Sequence, residues 1–275
     1  MALTVNTNMA SVDAINQLSS STRKLAGSFE RVASGLRINK AADDAAGLGV
    51  AENLDAASRS ARQAMRNTND GISLLNTAEG ATGEVANILK RMRELAIQSA
   101  SDTLDTDERQ YIQDEFTELV GEVSRISAVT EFNGVQLTNT NTTLSVQVGI
   151  NNTSNDRISI SMGDLRATVL GIDTGSVNLS TVTGAQSAIA IFDTALDSVN
   201  SYRSGYGSAQ NRLETALRNV EIYVENITAA ESRIRDADYA YETAEMAKHQ
   251  ILQQAGISVL SQAKAINQGV LSLIQ

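Results

Sequence analysis

A chain of 275 residues with 42% hydrophobic but only 4% aromatic side chains can form one or two domains without a thick aromatic core. Its net charge of −10 argues against nucleic acid as a partner, which would call for a basic face. With no Cys there is no disulfide or thiol chemistry, and with no Pro nothing forces a kink or stop in a long helix. The apolar content is largely Ala, Leu, Ile and Val, which suits helices packed closely in bundles. The N-terminus has no basic n-region or apolar h-region, and no segment is apolar enough to span a membrane. Sequence rules of that kind alone read the chain as cytoplasmic.

Residues 9–36 carry apolar side chains at helical spacing: Met9, Val12, Ile15, Leu18, Leu25, Phe29, Val32 and Leu36. The Ser-rich stretch between Leu18 and Leu25 predicts a break or frayed turn, and Gly35 and Asn39 bracket a second one. A new helix is expected to start near Asp43 or Asp44, either of which can cap it, and to run through Leu48, Leu54, Met65, Ile72 and Leu75. Gly80 to Gly83 reads as a turn. Val85, Ile88, Leu89, Met92, Leu95 and Ala96 then form a helical stripe. Asp102 to Asp107 reads as a turn, with Thr106 or Asp107 as N-cap of a third helix that carries Ile112, Phe116, Leu119, Val120, Val123 and Ile126 and ends at Asn133-Gly134.

The period changes in the middle. Leu144, Val146, Val148 and Ile150 alternate with polar residues, as do Ile158, Ile160 and Met162, which predicts a β-hairpin with a longer loop. Residues 171–184 are rich in Gly, Ser and Thr and read as a loop. Helix resumes near Ala185 with Ile189, Phe192, Leu196 and Val199, leads to Gly205-Tyr-Gly207, and continues through Leu213, Val220 and Ile227 to Ile234. Asp236-Ala-Asp-Tyr239 interrupts it, and a terminal helix is expected from Tyr241 or Glu242. From Gln250 onward its single charged side chain is Lys264, and its apolar positions are Ile251, Ala255, Val259, Ala263, Ile266, Val270 and Leu273. A nearly uncharged helix end is stable only when its stripe is covered, so the other chain end and further copies are its expected partners.

The fold class is therefore mainly α: a long antiparallel helical bundle or coiled coil with a small β-hairpin tip in mid-chain. The chain divides into residues 1–40 as the N-terminal part of an inner core, 41–235 as a shell of long helices with the hairpin at about 132–170 and a short loop at 171–184, and 236–275 as the C-terminal core helix.

Nothing in this pattern forms a catalytic constellation. His249 is the single histidine, on one helix with Glu242 and Glu245, and reads as a polar surface residue. Asp43 and Asp44 read as caps, and Asp236 and Asp238 as caps or partners of Arg233 and Arg235. Gly47-Leu-Gly49 and Gly205-Tyr-Gly207 lack the strand–loop–helix setting that phosphate binding needs. No enzyme activity, cofactor or metal is expected. The Ser/Thr-rich loops 138–143 and 174–184 are solvated loops that could also accept O-linked sugar.

Two long segments carry a resemblance. Glu30-Arg-Val-Ala-Ser-Gly-Leu-Arg-Ile-Asn-Lys-Ala-Ala-Asp-Asp-Ala-Ala-Gly-Leu48 is one. Ser232-Arg-Ile-Arg-Asp-Ala-Asp-Tyr-Ala240, with Gln250-Ile-Leu-Gln-Gln-Ala-Gly256 and Val270-Leu-Ser-Leu-Ile-Gln275, is the other. Together with Val5-Asn-Thr-Asn8, Arg93-Glu-Leu-Ala-Ile-Gln-Ser99, Phe132-Asn-Gly-Val135 and Ala209-Gln-Asn-Arg212, they resemble bacterial flagellin across both halves. About fifteen residues join the halves, so the chain is similar to a short, core-only form without variable outer domains.

The resemblance implies a self-assembling structural subunit of the flagellar filament, secreted for swimming motility through a type III apparatus without a cleaved signal. Its implied partners are copies of itself, an export chaperone on the C-terminal helix, filament cap and junction proteins, and a vertebrate Toll-like receptor of innate immunity. No nucleic acid and no membrane insertion are implied. Subunit packing is expected at Met9, Leu18, Leu25, Phe29, Val32, Ile251, Val259, Ile266, Val270 and Leu273. Arg91, Leu95 and Glu115 match the receptor-recognised positions, and equally suit subunit packing. Rival readings are a hook–filament junction-type axial protein and a membrane-active helical translocator.

Overall fold

The computed structural model describes residues 8–272, with side chains described to residue 265. Among the described residues six α-helices and four short strands follow in order: α1 Met9–Ser34, α2 Ala45–Ser99, α3 Thr106–Val129, β1 Glu131–Phe132, β2 Val135–Gln136, β3 Thr143–Gln147, β4 Arg157–Ser161, α4 Ala167–Leu170, α5 Val182–Arg235 and α6 Tyr239–Ser272. Mainly helical architecture with a small antiparallel hairpin in mid-chain agrees with the sequence reading. The chain forms two compact units: Met1–Ser58 with Asn226–Gln275, and Arg59–Glu225.

In the first unit, α1 packs antiparallel on α6. Asn8 donates to the Ala263 carbonyl at 2.9 Å at one end, and Arg31 meets Glu242 at 3.1 Å at the other. The break predicted after Ser34 is present. Gly35 takes φ 71, a left-handed value that costs a residue without Cβ nothing, and its N–H donates to the Arg31 carbonyl at 2.8 Å. The chain then crosses to the start of the returning segment. Arg37 N–H donates to the Arg235 carbonyl at 2.7 Å and Ala237 N–H to the Gly35 carbonyl at 2.9 Å. Both aspartates beyond it act locally. Asp44 accepts the Gly47 N–H at 2.8 Å as the cap of α2, and Asp43 accepts the N–H groups of Asn39 and Lys40. The predicted break between Leu18 and Leu25 is absent. Leu18, Ser21 and Leu25 continue one half-buried face through it, and the Thr22 hydroxyl bonds the Leu18 carbonyl at 2.9 Å within an unbroken helix.

In the second unit, α2 and α5 run antiparallel, as the pairs Arg93–Asp193 and Glu79–Arg203 show. Leu89, Met92 and Leu95 of α2, Phe116 and Val123 of α3, and Phe192 and Val199 of α5 form one core. The turn predicted at Gly80–Gly83 does not occur. Two glycines cost a helix only about 1 kcal/mol each, and the buried run Leu75, Ala78, Thr82, Val85, Ala86 carries it straight through. Helix α5 likewise continues through Gly205 and Gly207, with Tyr206 buried between them. The N-cap of α3 is Asp105, one residue before the expected Thr106, in a reciprocal capping box with Glu108. Helix α3 stops at Val129, before Asn133-Gly134. Those two residues, at φ 50 and 77, instead form the tight turn joining β1 to β2.

Strands β3 and β4 pair with Leu144 opposite Ile160 and Val146 opposite Ile158. Their inner face joins Leu75, Leu137, Met162, Tyr206 and Leu213 in a second core. The hairpin reaches α2 at Gly71, where a Cβ would lie 3.0 Å from a Val146 methyl. Residues 171–181 are a loop, as expected, but not a solvated one. Ile172, Val177 and Leu179 are fully buried in the core, and α5 starts at Val182, three residues early.

Candidate assembly surface

The faces of α1 and α6 that meet are not their most apolar faces. On α1 the covered positions include Ser11, Ala14, Leu18, Ser21, Leu25, Ser28 and Val32. On α6 they include Glu242, Met246, His249, Gln253, Gly256, Leu260 and Ala263, of which Glu242 and His249 are buried. Both sets alternate steps of three and four, the spacing of a coiled-coil seam. Small residues let the backbones approach. A Cβ on Gly256 would sit 3.3 Å from Leu18 Cδ1 and 3.7 Å from Leu18 Cβ. Polar side chains bond across the seam as well: the Gln253 amide donates to the Thr22 hydroxyl at 3.4 Å.

Leu18, Leu25, Val32, Met246 and Leu260 lie in the seam, but other large apolar side chains point elsewhere. Met9, Val12, Ile15 and Phe29 of α1, and Ile251, Leu252, Ile257 and Val259 of α6, are 46–66% exposed. Isolated exposed apolar residues are ordinary, but eight on one helix pair form a surface that another protein must cover. A groove of 460 Å³ lies along this pair, lined by Ala14, Leu18, Leu252, Ala255, Gly256 and Val259. Among the residues expected to pack subunits, Leu18, Leu25 and Val32 therefore face α6, whereas Met9, Phe29, Ile251 and Val259 face outward. Leu273, and the side chains of Ile266 and Val270, lie outside the described residues.

The seam contains residues that the apolar period alone did not reveal. His249 is 8% exposed rather than a surface residue, with Nε2 3.3 Å from Glu245. Its Nδ1 is buried without a hydrogen-bond partner. Glu242 is 4% exposed beside Arg31. The signal that finds them is the three–four series Glu242, Met246, His249, Gln253, Gly256, Leu260 and Ala263, read separately from the stripe of Ile251, Ala255 and Val259.

Arg91 and Glu115 are brought together on the surface of the second unit at 2.8 Å, and Arg91 also lies 3.4 Å from Glu94. Hydrogen bonding to Glu115, then its charge, raises the Arg91 pKa. Leu95, four residues after Arg91, is 1% exposed and belongs to the core rather than to the exposed pair. Asp236 and Asp238 serve local structure. Asp238 accepts the N–H groups of Ala240 and Tyr241 and starts α6 two residues before Tyr241, and Asp236 accepts the Ser232 hydroxyl. Among the described residues no three His, Asp or Glu side chains are grouped to hold a metal, and no helix is long and apolar enough to cross a membrane.

Comparison with known proteins gives a consistent result. Residues 5–143 match the bacterial flagellin N-terminal helical region, and residues 189–274 match the bacterial flagellin C-terminal helical region. The chain is 40% identical to a flagellin of Halalkalibacterium halodurans over 98% of this chain and 99% of that one. It is 38% identical to a flagellin of Bacillus subtilis with the same two coverages. The crystal structure of Bacillus cereus flagellin is similar at 33% identity and TM-score 0.50, over 60% of this chain and 94% of that one.

Proposed function

Because the chain belongs to the bacterial flagellin family and is a structural subunit of the flagellar filament, we propose that the outward apolar faces of α1 and α6 are its polymerisation surface. The observation that carries this reading is the division of each helix into two faces. Leu18, Leu25, Val32, Met246 and Leu260, spaced by small and polar residues, join α1 to α6, and Met9, Phe29, Ile251 and Val259 are left for neighbouring copies. Residues 1–40 and 236–275 form the inner core of the filament in this reading, and 41–235 its shell.

The subunit is a secreted, extracellular filament protein. Its export through the type III apparatus proceeds without a cleaved signal, with a chaperone covering the apolar side chains of α6 until assembly. Absence of Cys and Pro supports such passage, since no disulfide or slow prolyl isomer can trap the chain. Cap and junction proteins meet the same surface at the filament ends. The Arg91–Glu115 pair is the part of the receptor-recognised surface open to contact in this subunit, whereas Leu95 is in the core.

Purified protein added to filament seeds is expected to grow long filaments and to leave dye-loaded liposomes intact. Short caps without elongation would favour the junction-protein reading, and dye release would favour the translocator. In a Toll-like receptor reporter assay, Arg91→Ala and Glu115→Ala are each expected to lower the response to soluble subunit. An unchanged response would exclude this pair from recognition.

A further inference from the structure

The sequence holds one Asn-Gly pair, Asn133-Gly134, and it takes no part in the outward faces of α1 and α6. An Asn followed by Gly is open to attack from within the chain, because no Cβ on the following residue shields its backbone nitrogen. In that reaction the Gly134 nitrogen gives up its proton to solvent base and bonds to the Asn133 carboxamide carbon. The bond from that carbon to the side-chain nitrogen breaks, ammonia leaves, and a cyclic imide closes. Water then adds at either imide carbonyl and opens the ring. The product is aspartate or, where the chain runs on through the side-chain carboxyl, isoaspartate.

The fold decides when this happens. Asn133 and Gly134 are exposed, so solvent reaches both. Their φ angles of 50 and 77 place them in the left-handed region, in the tight turn between β1 and β2. In that region ψ is about +47°. At such a ψ the following nitrogen stands nearly anti to Cβ, whereas ring closure needs the two nearly eclipsed. The reaction therefore waits until Asn133 leaves the left-handed region. Both sides of the turn oppose that motion. Phe132 pairs with Val135 and Glu131 with Gln136, and the Leu137 N–H donates to the Thr130 carbonyl at 3.1 Å. Leu137 is fully buried, and Phe132 packs against the same core as Leu75 and Tyr206. Isoaspartate adds a backbone carbon to the turn and so breaks the register of this pairing.

We propose that Asn133 is a self-modification site gated by the β1–β2 turn: the unfolded chain converts it to isoaspartate and aspartate, and folding stops the conversion. The site records how long a chain has stayed unfolded, and it leaves aged chains with a turn that no longer closes. It needs no reagent but water, and it stands whether or not the outward faces of α1 and α6 polymerise.

Full-length protein is held at one pH and temperature in native buffer and in guanidinium chloride, beside a synthetic peptide of residues 129–138 in both media. Mass spectrometry of the fragment spanning position 133 follows the conversion, and labelling by an isoaspartyl methyltransferase counts the isoaspartate. The peptide and the denatured chain are expected to react at the same rate. The native chain is expected to react more slowly by at least on the order of tenfold, which corresponds to about 1.4 kcal/mol of local opening. Phe132→Ala removes the side chain that ties β1 to the core. It is expected to speed the native reaction and to leave the denatured rate unchanged. Amide exchange at Leu137 reports opening of the same ladder and should speed up in this variant while protection in α5 persists. Equal rates in the native and denatured chain would overturn the proposal, as would a denatured chain that keeps Asn133 intact while the peptide reacts. A native reaction rate unchanged in Phe132→Ala, with Leu137 exchange accelerated, would overturn the gate.

Discussion

Replacing Ile251 or Val259 by Ser should separate the stability of the subunit from its capacity to assemble. Ile251 is 66% and Val259 54% exposed in the single chain, so neither contributes much to its fold. Surface substitutions of this kind usually change stability by no more than about 0.5 kcal/mol. Full burial of an aliphatic side chain of this size is worth about 1.5–3 kcal/mol, and the exposed fraction leaves about 1–2 kcal/mol of it for contact with neighbours. That difference corresponds to a factor of about 5–30 in an equilibrium constant. Each single variant should therefore raise the critical concentration for filament growth by about that factor, while its urea midpoint as a monomer stays near wild type. Sedimentation of filaments at a series of total concentrations gives the first quantity, and circular dichroism in urea gives the second. An unchanged critical concentration, or a monomer destabilised as much as the filament, would refute the assignment of these side chains to the interface between copies.

Residues away from the outward faces of α1 and α6 offer independent tests. Phe116 and Phe192 are fully buried with ring centroids 5.9 Å apart, so Phe116→Ala and Phe192→Ala should each cost about 3–5 kcal/mol in urea unfolding. A double-mutant cycle should add a coupling of about 0.5–1.5 kcal/mol, and strict additivity would count against the ring contact. Gly71→Ile places a branched side chain against Val146 and Leu213, where even a Cβ meets methyl groups at 3.0–3.4 Å. A cost of about 1–3 kcal/mol is expected, with faster amide exchange in residues 143–147; native protection there would contradict the close packing of hairpin on α2. Hydrogen bonds from the Lys40 and Asn39 N–H groups hold the Asp43 carboxyl below its ordinary value, and the Arg166 side chain does the same for Asp164. A depressed folded-state pKa contributes stability that is present above the unfolded value of about 4 and is lost as pH falls through the lower folded value. Urea midpoints should therefore drop between pH 5 and pH 3, and Asp43→Asn should flatten part of that drop; identical pH profiles would exclude Asp43 as a contributor.

Much of the fold was legible because composition and period agree over long stretches. Absence of Pro, helical stripes in both halves and the alternation at 144–150 and 158–162 sufficed for a helical bundle with one hairpin. The misread breaks share a cause. Gly80, Gly83 and the polar residues 19–22 are weak local signals, each outweighed by a packed face that continues past it, Leu75 to Val85 in one case and Leu18 to Leu25 in the other. The loop at 171–181 was compositionally polar, yet its three apolar residues are the ones that fill the core. At the candidate surface, the apolar period found Ile251 and Val259 but not the face that meets α1. That face is chosen by Glu242, His249, Gln253 and Gly256, whose partners lie more than 200 residues away in the chain for Glu242, Gln253 and Gly256. Leu95 lies beneath the surface it was grouped with because a helical stripe fixes a side chain's direction only once its neighbours are known.

The most direct measurement is electron microscopy of purified full-length protein grown from seeds, beside the same protein truncated before Gln250. The full chain should extend the seeds into long filaments, and the truncated chain, lacking Ile251, Leu252, Ile257 and Val259, should leave them unextended at the same concentration. Normal filaments from the truncated chain would contradict the assignment of polymerisation to the outward face of α6.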